Sequence, residues 1–132
     1  MDSLSIISLA DLQEHFIVMD NYDVEIRNGL LVCLSICAAD GFVSLEEEEA
    51  LQRRFIEDLN GTEIEFKDIV NAFFGDKVPI EIYLKGVERE ELKRNFLEIA
   101  KDAAAVDGLD ITENIAWEKC KILWGLDYVA SS

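Results

Sequence analysis

The sequence is poor in the residues that interrupt, cross-link or coordinate. One proline and seven glycines in 132 residues are too few breakers for a loop-dominated or low-complexity chain. A zinc site built on the single histidine, His15, and the three cysteines, Cys33, Cys37 and Cys120, would have to gather its ligands from three separate segments. The odd cysteine count, with two thiols four apart in an apolar run, reads as reduced core thiols and not as a disulfide framework. Bases number 12 against 28 acids, a formal charge of −16, so the surface repels phosphate backbones and anionic headgroups. Direct nucleic-acid binding is excluded on that ground; a cation or a basic partner protein is favoured. Long apolar runs are also missing. The longest, Leu30 to Ala39, is about ten residues and contains Ser35, too short to span a bilayer, and Met-Asp-Ser lacks a basic leader region. The expected location is the cytoplasm, with no membrane insertion.

Half of the residues are apolar and 30% are charged, the balance of a soluble globular protein. The length suits one domain, 1–132. Helical periodicity recurs along it and clean alternation does not, so the expected class is all-α, a multihelical bundle. Ser8 to about Asp20 carries Leu9, Leu12, Phe16 and Met19 at three- and four-residue spacing, which predicts an amphipathic helix. Val24 to Ala39 is apolar on every side and predicts a central buried helix. From Ser44 to about Asn60 a helix opens with Ser44 and Glu47 as a capping box, turns Leu45, Leu51, Phe55, Ile56 and Leu59 inward, and ends at Asn60-Gly61. Two short helices follow, at 66–74 and at 79–85, the second opened by Pro79. Arg89 to Val106 predicts a second long helix with Leu92, Phe96, Leu97, Ile99, Ala100, Ala103 and Ala104 inward. The last covers Ile111 to about Asp127, with Ile115, Ile122, Leu123 and Leu126 expected on its core side and Trp117 and Trp124 at its flanks.

Shifting the sequence by 67 residues lays Arg27-Asn28 on Arg94-Asn95, Leu30 on Leu97, Ala38 on Ala105 and Asp40-Gly41 on Asp107-Gly108, six identities in the fifteen positions 27–41. Such identity points to an internal duplication, repeats about 22–60 and 89–127, joined by the two short helices. Beyond the turn, a one-residue shortening matches Ser44-Leu45-Glu46-Glu47 to Asp110-Ile111-Thr112-Glu113, so each half would open its second helix with a capping box.

A glycine after a helix, an aspartate beside it and acids in the next first turn are accounted for singly by capping and dipole compensation. As a pair the turns point further. Packed about a pseudo-twofold, they bring Asp40, Glu47, Asp107 and Glu113 to one cavity, with Asp110 and Glu46 nearby. Carboxylates so grouped must take up protons or hold a cation, and oxygen-only ligands suit Ca²⁺ or Mg²⁺. The expected metal set is Asp40, Glu47, Asp107, Asp110 and Glu113. An EF-hand is excluded, because Ala38-Ala39 stand where its first ligands belong and neither half has the spacing to a closing glutamate.

The stretches Ala38-Ala39-Asp40-Gly41-Phe42-Val43-Ser44-Leu45-Glu46-Glu47 and Ala105-Val106-Asp107-Gly108-Leu109-Asp110-Ile111-Thr112-Glu113 resemble the tellurite-resistance protein B (TerB-like) family, whose halves each carry a helix ending Ala-x-Asp-Gly before an acidic helix start. The resemblance runs from about Tyr22 to Leu126. It implies a duplicated multihelical fold with two long central helices, a metal-binding acidic site, and a place in stress-response or tellurite-resistance systems, often within larger assemblies near the membrane. Asn114 stands where that family pattern suggests another acid.

The function this favours is a binding or interaction module with protein partners and a divalent cation between the Asp-Gly turns, not an enzyme. An acidic adaptor docking a basic partner without metal is the alternative. A metal-assisted hydrolase is disfavoured, since no nucleophile stands beside a base and no glycine-rich phosphate loop is present.

Overall fold

The computed structural model describes residues 22–58, 65–106, 108 and 110–126. Among them the chain is helical, with no strand. Helix α1 covers residues 22–37 and runs into a 3₁₀ turn, Ala38–Asp40. There follow α2 (Leu45–Asp58), α3 (Phe66–Gly75), α4 (Ile80–Lys85), α5 (Glu90–Ala104) and α6 (Ile111–Leu123). The amphipathic segment expected at 8–20, the Asn60-Gly61 stop, Leu59, Asp107, Leu109 and Tyr128 lie outside the described residues.

Helices α1 and α5 share the core, as their compositions require. In α1, Ile26, Leu30, Val32, Cys33, Leu34 and Ile36 are all buried, so no face is left for solvent at its centre. In α5 the buried positions Leu92, Phe96, Ile99, Ala100 and Ala103 follow the three-four spacing. The contact between them depends on a missing side chain: a Cβ on Gly29 would overlap the Phe96 ring. Burying a phenylalanine of this kind contributes about 2–3 kcal/mol. The Cys33 thiol donates to the Phe96 carbonyl at 3.3 Å, a second tie between the helices.

A buried acid of α1 starts α5. Glu25 accepts from the Glu88 and Arg89 amides at 3.1 and 3.0 Å, and its other oxygen lies 3.3 Å from Arg89 Nε. Those amides precede the first turn of α5, where backbone N–H groups have no helical acceptor. Helix α2 packs on α5. The two are joined at their surface by Arg54, which meets Asp58 at 2.6 Å and Glu98 at 3.1 Å and also pairs with Asp102. These acids hold the Arg54 guanidinium above its usual pKa, the Asp58 hydrogen bond contributing most. Phe55 of α2 packs against Phe66 of α3 with ring centres 5.9 Å apart and planes tilted by 42°. Helix α4 opens with Pro79 as its N-cap, one residue before the helix.

Helix α6 packs on α5 and on the 3₁₀ turn; of the residues expected on its core side Leu126, just beyond the helix, is buried, but the others are not. Ile115, Ile122 and Leu123 face solvent, whereas Glu113, Cys120 and Trp124 are buried. The indoles decide this rotation. Trp117 Nε1 donates to Leu97 O at 2.7 Å and Trp124 Nε1 to Leu84 O at 2.8 Å, bonds that turn both rings toward the bundle. The helix stops at Leu123, short of Asp127, with Trp124 as C-cap and Gly125 at φ 77°. In α2, Leu45 and Ile56 are likewise exposed, because the buried stripe of that helix is Glu47, Ala50, Leu51 and Phe55.

Candidate cation site

The site is built from two helix starts and one turn. After α1 the chain leaves the helix at Gly41, whose φ of 115° suits glycine, and the Gly41 amide returns to Ala38 O at 2.9 Å. After α5, Gly108 at φ 99° does the same, its amide reaching Ala105 O at 3.1 Å. Each turn leads into a capped helix. At α2, Ser44 N–H donates to Glu47 Oε1 at 2.8 Å and Glu47 N–H to Ser44 Oγ at 3.1 Å. At α6, Asp110 N–H donates to Glu113 Oε1 at 3.3 Å and Glu113 N–H to Asp110 Oδ1 at 2.8 Å. Both are capping boxes, as the shortened register predicts.

Ordinary capping glutamates lie at the surface, but these are sealed: Glu47 is 2% exposed and Glu113 is 1% exposed. The 3₁₀ turn lies against α6 and brings Asp40 to that helix start. One oxygen each from Asp40, Asp110 and Glu113 lies within 4.8 Å of the others. Two oxygens held about 2.4 Å from a calcium ion can be no more than about 4.8 Å apart, so the spread is one an ion can bridge. Glu47 reaches the same place from α2, its carboxyl within hydrogen-bonding reach of Glu113. Of the five expected residues, Asp40, Asp110 and Glu113 form the cluster, Glu47 adjoins it through Glu113, and Asp107 lies outside the described residues. Glu46, on the next position of α2, is exposed.

The electrostatics centre on Glu113. Burial, and next the neighbouring Glu47 carboxyl, push its pKa up to about 8, although the Asp110 amide pulls the other way. Its Oε1 has the Asp110 amide. Its Oε2 is buried with no hydrogen-bond partner among the described residues. Two facing carboxylates can share a hydrogen bond only if one keeps a proton, so the position calls for a proton or for a cation. The sequence groups these acids in one cavity; that the Glu47 and Glu113 carboxyls face one another rests on the packing of the helices. Among the described residues no cysteine belongs to the carboxylate cluster. Cys33 and Cys120 are buried, and burial raises both thiols, Cys120 to about 12.

Comparison of the chain with known protein families, with characterised proteins and with solved structures gives no match.

Proposed function

We propose that this chain is a helical binding module of the TerB-like kind that holds a divalent cation between its two Asp-Gly turns and acts through protein partners, not as an enzyme. The observation that carries the reading is the buried Glu113 Oε2, with no hydrogen-bond partner among the described residues, beside oxygens of Asp40 and Asp110. A divalent ion there takes the place of the proton that Glu113 otherwise keeps, draws the two exposed aspartates onto the buried glutamate, and ties the 3₁₀ turn to α6. Only oxygen donors are offered, which favours Ca²⁺ or Mg²⁺ over zinc. In the duplicated reading of the fold, Gly41 corresponds to Gly108 and Glu47 to Glu113, and Leu45 and Ile111 are both exposed. The same correspondence puts Ser44 where the other half has Asp110, so the charge of the site is concentrated on the α6 side.

Calorimetric titration of the metal-free chain with Ca²⁺ and with Mg²⁺ tests the reading. One equivalent bound by the native chain, and none by Asp40→Asn or Asp110→Asn, is the expected result. Asparagine keeps the cap at position 110 and removes only the charge, so loss of binding there is not loss of the helix start. Equal binding by all three proteins would remove the site.

A further inference from the structure

Helix α6 carries an apolar face that the described residues leave open. Ile111, Ile115 and Ile122 are 77%, 61% and 56% exposed. At about 100° per residue they fall within about 40° of one another, and the middle of this stripe lies about 180° from Glu113, Cys120 and Trp124, which are buried. The stripe therefore points straight away from the core. Isolated exposed apolar side chains are ordinary, but three isoleucines in line mark a surface built to be covered.

The charges of this helix are balanced. Residues 111–123 carry Glu113 and Glu118 against Lys119 and Lys121, a net charge of zero in a chain of −16. A strongly basic or strongly acidic partner finds no match there. Two copies of so acidic a chain repel one another, and a neutral helix is where they can approach with little repulsion.

The pattern is also its own complement. Glu118 lies about 40° to one side of the middle of the stripe and Lys119 about 60° to the other, at nearly the same height. With Ile115 and Ile122 both line one hollow of about 370 Å³. Their intrachain ion pairs, Glu118 with Lys121 and Lys119 with Glu81, are 3.4 Å long, and the two side chains stay 45% and 57% exposed, so each can reach across to a neighbour. When two copies of α6 lie parallel about a twofold axis along their length, opposite flanks meet, and Glu118 of each faces Lys119 of the other. In an antiparallel pair the twofold brings like flanks together, Glu118 on Glu118 and Lys119 on Lys119. The charges choose the parallel pair, as flanking charges do in coiled coils, and β-branched residues seven apart, Ile115 and Ile122, suit a two-stranded seam.

We propose that this chain pairs with a second copy of itself through α6, the two helices parallel, with Ile115 and Ile122 packed on their counterparts and Glu118 of each copy paired with Lys119 of the other. The surface is separate from the cation site, since Glu113 stands on the opposite side of the helix.

A contact of one short helix per copy is at the small end of specific interfaces, below about 1,200 Å² in total, so the affinity is modest. Sedimentation equilibrium of the full chain at about 0.15 M salt, where long-range repulsion is screened, tests it. The expected result is a shift from monomer to dimer between about 10 μM and about 1 mM, and a monomer throughout for Ile115→Asp with its helical circular dichroism unchanged. Glu118→Lys should weaken the dimer about tenfold, and adding Lys119→Glu should restore it, because in the parallel pair the swapped charges again face their opposites. Ile115→Cys should oxidise to a covalent dimer, since position 115 meets itself only in a parallel pair and Cys33, Cys37 and Cys120 are buried. A native chain that stays monomeric, the face then being covered by a segment of its own or by another protein, overturns the proposal. A dimer that Ile115→Asp or Glu118→Lys leaves unchanged overturns it as well.

Discussion

The carboxyl groups of Glu47 and Glu113 meet inside the bundle, each the third residue of a capped helix and each almost fully buried. Each accepts the amide of its own N-cap, so neither can turn away without giving up a cap. Helix capping thus forces two acids into one desolvated space, and everything unusual about the site follows from that enforced contact.

The first prediction is a pH dependence with a defined sign. Glu113 titrates from an ordinary value of 4.5 in the open chain and near 8 in the folded metal-free protein, so the folded state holds the extra proton between those values. Its contribution is fully present below about pH 4.5 and is lost as pH rises through about 8. Glu113→Gln keeps the shape and the cap acceptor without the charge. The melting temperature of the variant minus that of the native chain should be near zero at pH 5, grow to roughly 5 °C or more by pH 8, and then level off. A flat difference would show that Glu113 is not the titrating group.

Gly29→Ala should destabilise by about 1–3 kcal/mol in urea unfolding, the range for forcing a methyl into a packed core. Gly41→Ala should act differently. Nothing lies near its Cβ, so its smaller loss should come from the left-handed backbone alone.

Glu25→Ala removes the acceptor of two amides at the start of α5 and should cost about 1–3 kcal/mol. Hydrogen exchange should show the loss first at Glu88 and Arg89. Protection unchanged at those amides would place the cap elsewhere.

Arg54→Met leaves Asp58, Glu98 and Asp102 facing one another without their cation. The expected loss is about 1 kcal/mol at low salt and less at 1 M, since salt screens the repulsion left behind. A loss independent of salt would mean that packing, not charge, is what Arg54 supplies.

The legibility of this fold from sequence divides by the kind of signal. Helix α5 shows every buried position in its spacing, and the two capping boxes are written in local chemistry, Ser44 with Glu47 and Asp110 with Glu113. The face of α6 is not. Its isoleucines read as core because apolar residues usually are, yet the indole hydrogen bonds of Trp117 and Trp124 to carbonyls of other helices set the rotation, and such bonds have no local signature. Glu25 and Arg54 carry no local signal for a related reason: their partners on α5 and just before it are 63 or 64 and 44 or 48 residues away. A lone acid within the apolar run of α1 was the available hint. The acids of the site are legible as a group expected in one cavity, whereas the near-complete burial of Glu47 and Glu113 belongs to the packing of the helices.

The most direct test of the cation reading is thermal unfolding of the native chain and of Glu113→Gln at pH 7.5, each with and without millimolar Ca²⁺. A ligand that binds only the folded form must raise the midpoint. The account predicts a Ca²⁺-dependent rise for the native chain, and for Glu113→Gln a higher metal-free midpoint that Ca²⁺ leaves unmoved. A native chain indifferent to Ca²⁺, or a variant that responds as strongly as the native chain, would contradict it.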